Sequence, residues 1–164
     1  MANLEPLIQS IPVAPLKLAS LEGCRTLADQ VNNYLVSFRH ESPTNVGQDD
    51  SLQGYCADSY LLECECPRFG SGEGKGVLKE SVRGCDLFIM VDVTNYSLTY
   101  RVNGYENHMS PDNHYQDLKR IISAADGKAR RINVIMPFLY EGRQHKRSKR
   151  ESLDCALMLQ ELVD

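Results

Sequence analysis

"CDLFIMVDV", residues 85–93, is a near-continuous apolar run of the kind found in a central β-strand buried on both faces. The stretch "RRINVIMPF", 130–138, reads as the next buried strand. Between them "SPDNHYQDLKRIISAADG", 110–127, carries the marks of a helix: Ser110 as cap, Pro111 in the first turn, Leu118, Ile121, Ile122 and Ala125 as the buried stripe, and Gly127 as the stop. Ahead of them "PLKLASL", 15–21, is a short strand that leads into a helix with Leu27, Val31, Tyr34, Leu35 and Phe38 at helical spacing. "SYLLECEC", 59–66, resumes as a strand, and "GVLKESVRG", 76–84, is expected to pair back with it across "FGSGEGKG", 69–76. Behind the last strand, Ser152 is read as the cap of a helix with Cys155, Met158, Leu159 and Leu162 on one face. Strands that alternate with helices imply an α/β fold, a mostly parallel sheet flanked by helices, in one domain over 1–164.

Two segments interrupt the alternation. "HESPTNVGQDDSLQG", 40–54, is polar and rich in turn formers, which reads as a surface loop. "YSLTYRVNGYENHM", 96–109, alternates Tyr96, Leu98, Tyr100 and Val102 before Asn103-Gly104, the signal of a two-residue hairpin inserted in the fold.

Composition excludes several classes of function. The 164 residues are 42% hydrophobic and 24% charged, as in a folded soluble domain. A net charge of −4 with a pI near 5.6 argues against a general nucleic-acid binder, which needs a broad basic face. Neither a membrane-spanning run nor a signal peptide is present, so a cytoplasmic location is expected. The six cysteines show no two-residue spacing suited to zinc and are read as free, mostly buried thiols.

In a parallel sheet, ligands bind beyond the carboxyl ends of the strands. "FLYEGRQHKRSKRES", 138–152, occupies that place and holds Arg143, Lys146, Arg147, Lys149 and Arg150, five of the eighteen basic residues. It is either an anion site or a solvated charged turn. "GSGEGKG", 70–76, fits neither the Walker spacing nor the dinucleotide fingerprint, and by composition reads as a flexible hairpin tip. His40, His108 and His114 are read as surface residues rather than ligands.

Two long motifs carry a family resemblance. "PRFGSGEGKGVLKESVRGCDLFIMVDV", 67–93, resembles the segment of ribose-phosphate pyrophosphokinases (PRPP synthetases) that runs from a Phe-Ser-Asp-Gly-Glu hairpin to an Arg-Gly-x-Asp-Val-Phe-Ile strand. "DLKRIISAADGKARRINVIMPFLYEGRQHKRSKRES", 117–152, resembles the block that follows it and ends in an Arg-Gln-Asp-Lys-Lys loop. The resemblance begins near Leu16 and implies a phosphoribosyltransferase-like fold, the N-terminal, ATP-side domain of a longer two-domain enzyme. It further implies transfer of the β,γ-diphosphoryl group of ATP to the C1 hydroxyl of ribose 5-phosphate with Mg²⁺, giving PRPP and AMP for nucleotide biosynthesis.

By motif position, Phe69, Ser71 and Glu73 would meet the adenine, often across a subunit boundary, and Arg143, Gln144 and His145 would meet the rest of ATP. Ser71 and His145 each stand where the family has Asp, and Ser148 takes the place of another acidic residue. The resemblance assigns no catalytic or metal-binding residue within the chain. It places ribose 5-phosphate on a second domain, so the chain alone is expected not to make PRPP, and it implies a homo-oligomer, a dimer or a hexamer. The departures keep open a noncatalytic regulatory or assembly subunit of the same fold, and the basic loop keeps open a module that binds RNA or another polyanion.

Overall fold

The computed structural model describes residues 13–41 and 55–163. Four parallel strands, β1 (Leu16–Ser20), β2 (Leu61–Leu62), β5 (Asp86–Met90) and β8 (Arg131–Ile135), form one sheet in the order β2-β1-β5-β8. β3 (Cys64–Glu65) and β4 (Val77–Leu78) pair antiparallel, as do β6 (Thr99–Val102) and β7 (Tyr105–His108). The helices are α1 (Arg25–Glu41), entered through a 3-10 turn at Glu22–Cys24, α2 (Pro111–Ala125) and α3 (Asp154–Val163).

β5 lies between β1 and β8, which is why its sequence is apolar almost without a break. Alternate residues point to opposite faces. Leu87 and Ile89 pack with Ala19 toward Leu118, Ile121 and Ala125 of α2 and Met158 of α3. Phe88 and Met90 pack with Leu18 toward Cys24, Ala28 and Val31 on the α1 side. Full burial of a side chain such as Leu87, Ile89 or Met90 contributes about 1.5–3 kcal/mol to folding. Asp86 opens β5 as a buried carboxylate, and Arg131 and Asn133 of the neighbouring β8 donate to it, Asn133 at 2.8 Å.

Three expectations need correction. The stripe on α1 buries Ala28 and Asn32, while Leu27 and Tyr34 are exposed. Packing selected the polar residue because the Asn32 side-chain oxygen accepts from the Tyr60 amide at 2.8 Å and so closes the entry to β2. The strand from 130–138 is only half-buried, because β8 ends the order of the four-stranded sheet. Ser152 precedes α3 by two positions, and its hydroxyl bonds the Asp154 side chain instead of a helix amide.

The helix α2 forms as its sequence dictates: the Ser110 side chain accepts from Asn113 N–H at 3.2 Å, Pro111 occupies the first turn, and Asp126 ends it in a left-handed conformation ahead of Gly127. The 96–109 hairpin also forms where the sequence puts it, with Asn103 and Gly104 at φ 50° and 85°. α1 runs through Glu41, so positions 40 and 41 of the loop read at 40–54 are helical, and 42–54 lie outside the described residues. All six cysteines are free; Cys24, Cys64 and Cys155 are buried and Cys56 is exposed. Among the described residues no helix is long and apolar enough to cross a membrane.

Candidate functional site

Two structures stand on one helix. The first is the hairpin 68–74, which a bridge between Arg68 and Gly74 closes. Phe69 N–H donates to the Glu73 carbonyl at 2.7 Å and Gly72 N–H to the Phe69 carbonyl at 2.9 Å, with Gly72 at φ 92°. The turn needs glycine there because a side chain rarely adopts that conformation. Phe69 projects from the tip with 53% of its surface exposed, and Ser71 Oγ donates to Glu73 at 2.7 Å.

This tip is anchored rather than loose. Arg68 grips Asp117 of α2 with two parallel bonds, 2.6 and 2.8 Å, and Arg120 donates to the same carboxylate at 2.6 Å. Asp117 is 5% exposed. A buried carboxylate held by two guanidiniums is fully hydrogen-bonded, which offsets the cost of taking it out of water. Two glycines of "GSGEGKG" are required where the chain runs against α2: a Cβ on Gly76 would collide with the Arg120 backbone, and one on Gly74 with the Arg68 and Arg120 guanidiniums.

The second structure is the loop after β8. Tyr140 fixes its start by stacking on Tyr115 of α2, with ring centroids 4.5 Å apart, and by donating its hydroxyl to Asp112 at 2.6 Å. Burial, reinforced by the bond to Asp112, raises the Tyr140 hydroxyl well above the ordinary phenol range. Burial first, and the bond to Glu161 second, push the Tyr115 hydroxyl up to about 12. Both stay protonated and donating at neutral pH.

Gln144 then ties the loop's ends together. Its side-chain amide donates to the Ser152 carbonyl at 2.8 Å, and its own carbonyl accepts from Cys155 N–H of α3 at 3.2 Å. His145 Nδ1 donates to the Gly142 carbonyl at 3.0 Å, and Ser148 Oγ to Glu151 at 3.0 Å. Arg143, Lys146, Arg147, Lys149 and Arg150 are all exposed, and among the described residues none of the five forms a salt bridge.

The structure thus groups Phe69, Ser71 and Glu73 on one hairpin, and Arg143, Gln144 and His145 on one loop. Among the described residues no hydrogen bond, ion pair or ring stack joins the two groups. Both are referred to α2, the loop through Asp112 and Tyr115 and the hairpin through Asp117 and Arg120. Positions 112 and 117 are about 7–8 Å apart along the helix axis.

Sequence reasoning missed Asp117, Tyr140 and His114. His114 is buried, not a surface residue, and its Nε2 donates to the Asn95 carbonyl at 2.7 Å. The signal was present, since 114, 118, 121 and 125 share one helical stripe. A cavity of about 320 Å³ lies beside it, lined by Arg25, Cys64, Cys66, Arg68, Tyr100 and Asp117 among others. Burial is the main cause that pushes the Cys64 and Cys66 thiols up to about 11 and about 12, so neither is a ready nucleophile. Among the described residues no group of three His, Cys, Asp or Glu side chains converges on a common point.

Parallel strands with helices on both faces, and a basic loop that forms no salt bridge among the described residues, define an α/β domain with exposed cations beyond the carboxyl end of one strand, where such sheets bind ligands. Residues 16–164 match the family model described as the N-terminal domain of ribose phosphate pyrophosphokinase, and the chain belongs to that family. The fold is similar to the crystal structure of phosphoribosylpyrophosphate synthetase from Mycobacterium smegmatis, with a TM-score of 0.62 and 24% identity over 91% of this chain. The chain spans 39% of that structure's length. No curated protein matches the sequence.

Proposed function

We propose that the chain is the ATP-side domain of a ribose-phosphate diphosphokinase, which transfers diphosphate from ATP to the C1 hydroxyl of ribose 5-phosphate. The observation that carries this reading is the loop closed by Gln144, which offers five exposed cations with no salt-bridge partner among the described residues, behind a strand of the matching family domain. Arg143 is assigned to the phosphates, where a planar guanidinium gives paired charge-assisted bonds. Phe69 supplies an aromatic face for adenine and Glu73 an acceptor for its amine. Gln144 and His145, next to Arg143, border the same nucleotide. Because no hydrogen bond, ion pair or ring stack joins the hairpin to the loop among the described residues, we assign the site to two copies, each giving one half, which makes the protein a homo-oligomer. Its place of work is the cytoplasm.

Diphosphoryl transfer is chiefly positioning and charge stabilisation, and these residue types suit that task. Mg²⁺ would come with the triphosphate and balance its charge. Ribose 5-phosphate is not assigned to any residue here. Ser71, His145 and Ser148 favour a second reading, a noncatalytic assembly subunit, because the side chains of all three are turned to intrachain bonds.

Phe69→Ala is expected to weaken ATP binding by roughly 5- to 100-fold, the scale of one lost stacking partner, while the thermal midpoint stays within about 2 °C, because an exposed tip contributes little to the core. Calorimetric titration of the wild type and the variant with Mg-ATP, alongside a thermal melt, checks this. Unchanged affinity with a large loss of stability would make Phe69 a core residue. Binding that ignores the nucleotide's identity and falls steeply with salt would point to a general polyanion site.

A further inference from the structure

We propose that the inserted hairpin 96–109 is a positioning element for the hairpin 68–74, holding it from the side opposite α2 so that Phe69 projects in one direction. The inference rests on the reading of 68–74 as the part that receives the nucleotide base, and it gives the insertion a role in that site.

The base of the insertion is fixed to the body of the domain. Asn95 accepts from Ser97 N–H at 3.1 Å and Ser97 Oγ at 2.6 Å, and its side-chain amide reaches the Gly23 carbonyl at 3.4 Å. The Asn95 carbonyl accepts from buried His114 of α2 at 2.7 Å. Tyr96 stacks on His108 with ring centroids 4.4 Å apart, and Met109 N–H donates to the Leu98 carbonyl at 2.8 Å. The chain passes directly from Met109 into Ser110, the cap of α2. The insertion is therefore tied to α2.

Its inner side chains meet the other hairpin at two places, one on each side of Phe69. Leu98, Tyr100 and Val102 alternate as the half-buried row, while Thr99 and Arg101 face outward. The Arg68 guanidinium lies over the Tyr100 ring, 5.2 Å from its centroid, while its bonds go to Asp117. Val102 covers the turn at Gly72: a Cβ added there would come within 3.1 Å of Val102 Cγ2. Residue 68 is thus held between Asp117 and Tyr100, and residue 72 lies under Val102, so the exposed ring of Phe69 between them has a fixed base. Preorganising a contact in this way reduces the ordering cost of binding. Without the insertion, α2 would hold the hairpin on one side only.

Amide hydrogen exchange tests the proposal without requiring nucleotide. In Tyr100→Ala, the Phe69 and Gly72 amides are expected to exchange about fivefold to tenfold faster, the scale of one lost cation–π contact. Ile89 in the core should keep its wild-type rate. Tyr100→Phe keeps the ring and should behave as wild type. Val102→Ala, which touches only the turn, should accelerate Gly72 in particular.

Titration with Mg-ATP is the second arm, and affinity is expected to fall about fivefold in Tyr100→Ala but not in Tyr100→Phe. Unchanged exchange at Phe69 and Gly72 overturns the proposal whatever the nucleotide does, and so does equal acceleration of Ile89, which would make the insertion part of the core. Where ATP does perturb Phe69 in the wild type, faster hairpin exchange with undiminished ATP affinity also overturns it. If ATP perturbs nothing at Phe69 in the wild type, the nucleotide reading fails, and the exchange rates alone decide whether the insertion orders the hairpin.

Discussion

Replacing Asp117 with alanine is expected to cost about 3–5 kcal/mol of folding stability, the range measured when one partner of a buried ion pair is removed. The carboxylate is 5% exposed and is the shared acceptor of Arg68 and Arg120. The Arg68 side chain is itself only 8% exposed, so the mutation strands a guanidinium away from water rather than merely deleting a contact. Domains of this size hold about 5–15 kcal/mol in total, so the variant should be folded only marginally at 37 °C. Asp117→Asn keeps a hydrogen-bond acceptor but loses the charge, and should fall between the two. Urea unfolding of the three proteins provides the comparison. A loss below about 1 kcal/mol for the alanine variant would show that the triad behaves as a solvated surface pair.

Arg143→Ala, in the natural protein that carries this domain, is expected to lower kcat/KM for ATP by at least about tenfold, since a charge-assisted bond of roughly 1.5–3 kcal/mol is lost. Lys149→Ala should change it much less, because a solvated lysine further along the loop makes only a screened contribution. Steady-state assays of AMP release with ATP and ribose 5-phosphate measure both. Equal, small effects would mean the basic run is a solvated turn. The proposed two-copy site adds a sharper result: mixed oligomers of Phe69→Ala and Arg143→Ala subunits should recover part of the activity that each variant lacks alone. No recovery on mixing would place both residues in one chain's site.

Much of the frame is legible in the sequence. β5 and β8 could be read from their apolar runs, α2 from Ser110, Pro111 and its stripe, and the 96–109 hairpin from Asn103-Gly104. Each of these signals acts within a few residues of chain. The candidate site was legible differently. The motifs around Phe69 and Arg143 marked two segments, but the intervening chain gave no measure of the distance between them. The side chains that aim those segments, Asp117 for one and Tyr140 for the other, carried no motif.

Sequence alone determined the alternation of strands and helices, the placement of a cationic loop beyond β8, and the presence of an aromatic-tipped hairpin, because periodicity, turn chemistry and charge are local properties. Only the tertiary structure decided that α1 buries Asn32 rather than Tyr34, that His114 is internal, and that α2 anchors both the hairpin 68–74 and the loop after β8. Those outcomes depend on partners far away in the chain, such as Arg68 meeting Asp117 across 49 positions. A buried polar group takes whichever partner the packed elements bring within hydrogen-bond reach, and one-dimensional spacing does not encode which one that is.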